Sequence, residues 1–360
     1  MTETVPASTD PMLLPAMRYG ETAAVVALGV DAADAEFVLA EAPAAVSASA
    51  ADRLRRAVPE NTARAYARQW SEFESWCLAQ PVPLRALPAS AHTLAEYVNA
   101  LADRGLAPAS IEQAIAAIRV RHRRAGFPAE PDTTAAREIL RTHRRDRAEA
   151  GKKKRQAPPV TLGPLRAMTE ACDTTTAAGL RDLVIVVLGF AGMLRRSELA
   201  ALNITDVAFT EDGLVLSIRT SKTDTESVGA TVQLPPGSHP DTDPVRVARA
   251  WIECLRRRGI TSGRLLRAVT HGGARIGESM TPTAINDAVR RLAAKAELPN
   301  AAAYTAHGLR AGGPTEAARR GVPTAHVAAH GRWSKTSPQV NEYARAADGW
   351  RDNPMNGIGL

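Results

Sequence analysis

The stretch from Thr305 to Tyr343 has the sequence TAHGLRAGGPTEAARRGVPTAHVAAHGRWSKTSPQVNEY. It places His307 three residues before Arg310, continues through a helix-like run to a Gly-Arg-Trp sequence ending at Trp333, and closes on a tyrosine. An arginine stabilises negative charge on phosphorus, a histidine exchanges a proton, and a deprotonated tyrosine is a nucleophile. The stretch therefore predicts phosphate chemistry with a tyrosine nucleophile.

The composition of the chain shows how much support this pattern needs. With 39 Arg and 8 His in 360 residues, about one His-x-x-Arg arises by chance. The prediction of phosphate chemistry therefore needs further catalytic residues elsewhere in the chain.

The charge of the chain is unevenly distributed. The net charge is +7, but residues 1–50 carry a net −6 and the remainder therefore +13. A body this basic favours a polyanionic partner such as nucleic acid. A basic protein without such a partner is the alternative.

The cysteines and the apolar runs indicate a cellular compartment. Cys77, Cys172 and Cys254 are few, odd in number and widely spaced, which argues against a disulfide framework or a zinc site and favours a reducing cytoplasm. The first residues lack the features of a signal peptide. The longest nearly apolar run, 183–194, has twelve residues and predicts a buried core helix, because it is too short for a bilayer. No acidic pair has metal-binding spacing, so we expect no metal and no cofactor.

Changes in composition divide the chain into four segments. Residues 1–50 are Ala-rich and acidic and predict a poorly ordered extension. Residues 51–150 predict a helical domain and 151–160 a basic linker, in which three lysines precede Ala-Pro-Pro. Residues 161–360 predict a second, catalytic domain.

The helical domain shows an apolar face on its first helix and clusters of arginines on its last two helices. Tyr66, Trp70, Phe73 and Cys77 recur at spacings of four, three and four, which favours a core-facing stripe over a base-stacking one. Further helices are predicted at 90–104, from a cap at Ser110, and from about residue 133. The last two carry clustered arginines, and like charges at helical spacing repel by a few tenths of a kcal/mol per pair.

These basic clusters predict a phosphate-backbone contact, with a solvated face as the alternative. The candidate DNA-binding residues are Arg119, Arg121, Arg123, Arg137, Arg141, Arg144, Lys152, Lys153 and Lys154.

The second domain mixes helices with a short β segment. Helices are predicted at 161–172, at 181–190 and after a cap at Ser197, and again at 244–258, 281–296, 307–320 and 323–330. The apolar period changes at 214–219 and 230–234, which predicts a β-hairpin with Lys222 in its turn region. The fold class is therefore mainly α: an N-terminal helical domain and a mixed α+β domain with a small sheet.

The run Leu194-Arg-Arg-Ser-Glu-Leu199, followed by Asp206, resembles the first arginine box of the tyrosine recombinases, the phage integrase family. Met193 stands where that box usually has glycine. Lys222, His307-x-x-Arg310, the Gly-Arg-Trp sequence and the final tyrosine are similar to the family's later boxes, in the same order. The two-domain layout and the tryptophan are similar to Cre-type members. The step from Trp333 to Tyr343 is ten residues, one longer than the family's usual spacing.

This resemblance implies a set of roles. The implied catalytic residues are Arg195, Lys222, His307, Arg310, Trp333 and the nucleophile Tyr343, with Glu198 as a supporting acid. Lys222 is the implied general acid, and His307 would take or relay the tyrosine proton. The alternatives to individual assignments are Arg196, His330 as a substitute for the missing histidine, and Tyr304 as a rival nucleophile.

The resemblance also implies a function: a site-specific DNA recombinase whose domains clamp around DNA. It would cleave and rejoin DNA through a 3′-phosphotyrosyl intermediate without metal or ATP. We expect a monomer that forms a homo-tetramer on two duplexes with inverted-repeat half-sites, in the cytoplasm and with no membrane partner. A transposon-type integrase, a type IB topoisomerase-like strand transferase and a catalytically silent DNA-binding relative remain alternatives.

Overall fold

The computed structural model describes residues 47, 49–50, 52–53, 57–152, 157–219, 229–270, 273–334, 337–348, 355 and 358. The predicted N-terminal extension lies almost entirely outside these residues, as do Lys153, Lys154 and Lys222. The chain divides into two units, Met1–Lys154 and Arg155–Leu360. That the first unit binds DNA and the second is catalytic stays a prediction.

From Glu60 onward, the described part of the first unit forms four helices: α1 Glu60–Leu78, α2 Ala91–Asp103, α3 Pro108–Arg124 and α4 Thr134–Glu149. Trp70, Phe73 and Cys77 are buried in its core, so the apolar stripe on α1 is confirmed as a core face. Tyr97 of α2 packs edge-on against Phe73, with ring centroids 5.0 Å apart. Aromatic pairs of this geometry favour a well-ordered core.

Local chemistry explains where α2 and α3 begin, and the start of α3 corrects a prediction. Ser90 accepts a hydrogen bond from the N–H of Thr93 at 3.1 Å and so caps α2. The predicted cap at Ser110 is wrong, because α3 begins at Pro108 and Ala107 holds the cap position. Proline favours the first helical position, since its fixed φ suits the helix and its missing N–H has no partner there.

The second unit contains eight helices within its described residues: α5 Leu162–Glu170, α6 Ala177–Ala191, α7 Arg196–Ala201, α8 Pro244–Arg256, α9 Pro282–Lys295, α10 Ala306–Arg319, α11 Thr324–Gly331 and α12 Pro338–Asp348. Helix α6 is buried along almost its whole length, which confirms the predicted core helix. Residues of α8, α9 and α10 belong to the same core.

Three antiparallel strands form the sheet, in the order β1 Val207–Phe209, β2 Leu214–Ile218 and β3 Ala230–Leu234. The register pairs Leu216 with Val207 on one side and with Val232 on the other. The hairpin of β2 and β3 is confirmed. Strand β1 was not predicted, because three residues are too few to show an alternating period. The mainly α fold with a small sheet is thus confirmed.

The chain that leads into α5 lies against α10, the helix that carries Arg310. The N–H of Val160 donates to the carbonyl of Gly308 at 2.9 Å. Gly308 and Gly312 pass so close to the backbone of Pro158 and Val160 that a Cβ at either glycine would collide with a carbonyl oxygen. The two glycines therefore allow this segment to fix the position of α10.

Candidate active site

The turn between α6 and α7 positions Arg195. Met193 in this turn has φ 46°, a left-handed conformation that glycine adopts most easily. The side chain of Arg195 is 16% exposed and contacts Glu198, whereas Arg196 is exposed. The two neighbouring arginines therefore face different environments. Arg195 faces inward, and it is also the arginine that the resemblance to the arginine box implies.

Glu198 is the centre of this cluster, with a side chain only 1% exposed. Its Oε2 accepts a hydrogen bond from the backbone N–H of Arg195 at 2.9 Å, so Glu198 and not the predicted Ser197 caps the start of α7. Its Oε1 accepts from Arg195 NH1 at 2.6 Å, and Oε2 accepts from Arg332 NH2 at 2.9 Å. Arg310 NH1 lies 4.0 Å from Oε2.

Several cations surround this one carboxylate, and they determine its charge state. Burial alone would raise the pKa of Glu198. The hydrogen bond from the Arg195 N–H and the charges of Arg332 and Arg195 outweigh burial and hold that pKa below its ordinary value. Glu198 is therefore ionised, and three arginines around a single anion leave a net positive site.

Arg310 reaches this site from α10 and is buried. Its guanidinium donates to the carbonyls of Met193 and, at 2.7 Å, of Gly331, and its Cζ lies 4.1 Å from the ring centroid of Trp333. Burial, together with the charge of Arg195, lowers the pKa of Arg310 to about 9. Arginine remains protonated at neutral pH under these conditions, so the site holds a poorly solvated cation.

Trp333 and Tyr343 pack together beside Arg310. Their ring centroids are 5.9 Å apart, in a small apolar cluster that also contains Met193, Val327 and Val340. The ten-residue step between the two aromatic residues therefore still brings the tyrosine to the site. Burial raises the pKa of Tyr343, and the positive charge of Arg310 opposes that rise.

The indole N–H of Trp333 donates to Gln339 Oε1 at 3.3 Å. This bond ties the turn after α11 to the first residues of α12, the helix that carries Tyr343. The same N–H is the one hydrogen-bond donor that the Trp333 side chain could offer to a phosphate oxygen. Binding a phosphate there would require the indole to exchange its partner.

His307, His330 and the two candidate tyrosines differ in their exposure and in what they contact. His307 is exposed in the first turn of α10, while Arg310, three residues later, is buried. His330 Nε2 is 2.7 Å from the carbonyl of Ala191, a backbone contact at the end of α6. Tyr304 is buried in the large core of the second unit, whereas Tyr343 belongs to the cluster around Trp333. The geometry thus favours Tyr343 over Tyr304.

Lys222 lies outside the described residues, but the stem of its hairpin is described. Arg219, just after β2, donates from Nε to Asp206 Oδ1 at 2.6 Å. Asp206 is buried and also accepts from the N–H of Asn203 at 2.8 Å. A small pocket lined by Glu198, Asp206 and Arg219 lies at this point. The stem is therefore anchored beside the arginine cluster.

The structure divides the predicted DNA-binding residues of the first unit. Those exposed are Arg123, Arg137, Arg141, Arg144 and Lys152, and Arg119 is partly buried. Arg144 forms an ion pair with Glu112 of α3, so part of its counter-charge comes from the protein itself.

Arg121 requires a correction. It is only 8% exposed, and its guanidinium lies over the ring of Trp70 with Cζ 5.5 Å from the centroid. A buried cation that stacks on a core tryptophan supports the core. Arg121 is therefore removed from the basic surface.

The described residues lack two features. They contain no group of three or more His, Cys, Asp or Glu side chains that could hold a metal ion. Across the same parts of the chain, no helix is both long and apolar enough to cross a membrane.

Comparison with known proteins decides the family. The model of the phage integrase family matches residues 163–349, which is more than half of the chain. The chain belongs to the phage integrase family. It is thus a tyrosine recombinase by descent, as the boxes around Arg195, Arg310 and Tyr343 predicted.

Two curated relatives and one solved structure agree with this membership. The integrase/recombinase XerD homolog of Selenomonas ruminantium is 28% identical over 311 residues, covering 86% of this chain and 89% of the relative. The recombinase Cre of Escherichia phage P1 is 24% identical over 309 residues, covering 82% and 87%. The Tn1549 transposon integrase in complex with transposon right end DNA matches with a TM-score of 0.56 and 16% identity, over 84% and 96% of the two chains. The last likeness shows a shared fold.

The sequence interpretation missed Arg332. This residue contacts Glu198, Gly192 and Met193 and completes the cluster. Its only sequence signal was its place beside Trp333, and a single arginine in a chain rich in arginine gave no reason to select it.

Proposed function

We propose that this protein is a site-specific DNA recombinase that cleaves and rejoins DNA through a 3′-phosphotyrosyl intermediate. The observation that carries the proposal is the convergence of Arg195, Arg310 and Tyr343 from three separate segments onto one site, with Glu198 and Trp333 between them. Two cations beside a tyrosine are what an attack on a phosphodiester requires.

The proposed cleavage step exchanges one phosphate ester bond for another. The Tyr343 Oη attacks the scissile phosphorus, the bond from phosphorus to the 5′-oxygen breaks, and a 3′-phosphotyrosyl bond forms. Arg195 and Arg310 stabilise the charge on the non-bridging oxygens, and a single such donor contributes roughly 3–4 kcal/mol. The new ester keeps the bond energy, so rejoining by a 5′-hydroxyl needs no ATP, and the guanidiniums supply the positive charge that a metal would otherwise supply.

Two proton transfers complete the proposed step. In this step the phenolic proton of Tyr343 passes to His307 or, through it, to solvent, to which His307 is exposed. Lys222 gives a proton to the leaving 5′-oxygen. Lys222 follows Arg219 by three residues in the sequence, and the anchoring of Arg219 by Asp206 supports the proposal that the hairpin supplies this lysine to the same cluster.

The partner that we propose is double-stranded DNA with inverted-repeat half-sites. The exposed arginines of α3 and α4 supply phosphate contacts, and we propose a monomer that assembles as a homo-tetramer on two duplexes, in the cytoplasm with the chromosome. Relatives named as recombinases and integrases, one of them solved with transposon end DNA, support DNA as the substrate.

The test is a covalent trap. Inverted repeats beside the gene supply candidate sites, and a duplex nicked near the scissile phosphate loses a short fragment on cleavage, so rejoining is blocked. We expect a protein–DNA adduct that survives denaturation with the wild type and is absent with Tyr343→Phe. Tyr304→Phe is the matched control and should still form the adduct. DNA binding by wild type without any adduct would support a catalytically silent relative instead.

A further inference from the structure

Arg332 has a backbone conformation that arginine rarely adopts. It follows α11 with φ 57° and ψ 43°, in the left-handed region where a Cβ crowds the neighbouring carbonyl oxygen. Glycine commonly occupies this position after a helix because it has no Cβ. An arginine in a glycine-like position needs a reason that lies in its side chain.

The guanidinium of Arg332 joins the end of α11 to the turn before α7. NH1 donates to the carbonyls of Gly192 at 3.2 Å and His330 at 3.0 Å. NH2 donates to the carbonyl of Met193 at 3.1 Å and to Glu198 Oε2 at 2.9 Å. Within the described structure its Nε–H is buried without a hydrogen-bond partner, which adds a second cost to the strained backbone.

Arg332 and Arg310 share one hydrogen-bond acceptor and lie at different distances from a second oxygen. Both donate to the carbonyl of Met193. Both also face Glu198 Oε2, but Arg332 is at 2.9 Å and Arg310 at 4.0 Å. A carboxylate oxygen that is already paired with one guanidinium attracts a second one less strongly. Arg332 therefore occupies the place on Glu198 that Arg310 would otherwise take.

We propose that Arg332 is a positioning residue that keeps Arg310 from pairing with Glu198, so that Arg310 stays directed at the phosphate and at Tyr343. This inference rests on the function proposed above and extends it. Without Arg332, the buried carboxylate would lose one cation, and Arg310 would move about 1 Å to replace it. Its hydrogen bonds to the Met193 and Gly331 carbonyls and its stacking on Trp333 would then be disturbed.

Substitution by glycine separates this role from a purely structural turn. Arg332→Gly removes the guanidinium and at the same time relieves the left-handed backbone. If Arg332 only formed the turn, the glycine variant would cleave at least as fast as wild type. If its guanidinium positions Arg310, Arg332→Gly should slow single-turnover cleavage of the nicked duplex by at least about tenfold, with DNA affinity changed less than twofold. Arg332→Lys, which keeps the charge, should restore part of the rate.

The pH dependence of the cleavage rate also distinguishes the two roles, because a residue that only forms a turn would not change it. Arg310 opposes the rise in the pKa of Tyr343, while burial and the nearby Glu342 favour it. If Arg310 turns towards Glu198, Tyr343 loses this opposing charge. The alkaline rise of the cleavage rate should therefore shift to higher pH in Arg332→Gly. The control is Arg320→Gly, which places glycine at the exposed C-terminal cap of α10 and should leave both rate and profile unchanged.

A crystal structure of Arg332→Gly tests the inference independently of activity. The distance from Arg310 NH1 to Glu198 Oε2, 4.0 Å in the wild-type chain, should close to hydrogen-bond length. An unchanged distance, or a glycine variant with wild-type rate and pH profile, would overturn the role of Arg332. Wild-type protein that forms no adduct on any cognate duplex would overturn the proposed function instead, and the distance in the variant would still decide the inference.

Discussion

The guanidinium of Arg310 lies over the indole of Trp333, with Cζ 4.1 Å from the ring centroid. Trp333 in turn contacts Tyr343, so the tryptophan is the link between a buried cation and the proposed nucleophile. A cation–π contact in a desolvated site contributes about 2 kcal/mol. Under the proposed function, Trp333 would therefore act by holding Arg310 beside Tyr343 and not as a base.

The first prediction concerns this stacked pair. Trp333→Phe keeps a ring beneath Arg310 and should retain cleavage within about tenfold, whereas Trp333→Leu keeps apolar volume without the π face and should lose about 2 kcal/mol of transition-state stabilisation. Trp333→Ala leaves a cavity and should lower the free energy of unfolding by about 3 kcal/mol. Single-turnover cleavage and urea unfolding measure the two effects. Equal rates for the Phe and Leu variants would rule out the stacking contribution.

Two adjacent arginines provide the second prediction. Arg195→Ala removes a proposed phosphate donor and should reduce cleavage by about 10²–10³-fold, while Arg196→Ala removes an exposed side chain and should change stability by no more than about 0.5 kcal/mol. The two variants lose the same charge one residue apart. Single-turnover cleavage compares the two variants. If Arg196→Ala slowed cleavage more than Arg195→Ala, Arg196 would be the catalytic arginine of the box.

The third prediction follows from Glu198. Its pKa is lower in the folded chain than in the unfolded chain. Its stabilising contribution is therefore fully present above the unfolded pKa, and is lost as the pH falls through the folded pKa. Glu198→Gln should cost about 3–5 kcal/mol of unfolding free energy at pH 7 because it leaves buried arginines unpaired, and the difference from wild type should shrink towards pH 3. Urea titrations at several pH values measure it, and a difference that is constant with pH would contradict the assignment.

The fourth prediction concerns the basic surface of the first unit. Arg141→Ala should weaken binding to all duplexes and reduce the salt slope of log K by about 1. Arg68→Ala is the control, because Arg68 is also exposed but lies 3.5 Å from Glu72 on α1. Fluorescence anisotropy at a series of salt concentrations compares the two. An unchanged slope for Arg141→Ala would remove this arginine from the proposed DNA interface.

The sequence predicted the helices best where an apolar signal was long. The stripe on α1 was found because large apolar side chains repeat at helical spacing, and the core helix α6 because its apolar run continues over twelve residues. Strand β1 was missed because three residues carry no period. The predicted caps at Ser110 and Ser197 were wrong because α3 already begins at Pro108, and because the Glu198 side chain accepts the N–H of Arg195 at the start of α7.

Residues of the candidate site were predicted where both the residue type and its place in the order of the family's boxes indicated the same role. Arg195, Arg310, Trp333 and Tyr343 converge in the structure. Arg121 was wrongly assigned to the DNA-binding residues because it is charged. Its position indicated burial, because the apolar period of Ile111, Ile115 and Ile118 continues onto residues 121 and 122. Arg332 was missed because its importance comes from a three-dimensional contact with Glu198 that no spacing encodes.

The proposed function requires that Tyr343 becomes covalently linked to DNA. Mass spectrometry can identify the peptide that stays attached to a nicked cognate duplex after denaturation and proteolysis. We expect a phosphodiester-linked nucleotide on Tyr343 and on no other residue, with its loss in Tyr343→Phe. An adduct on Tyr304 or any other residue, or an adduct that persists in Tyr343→Phe, would contradict it.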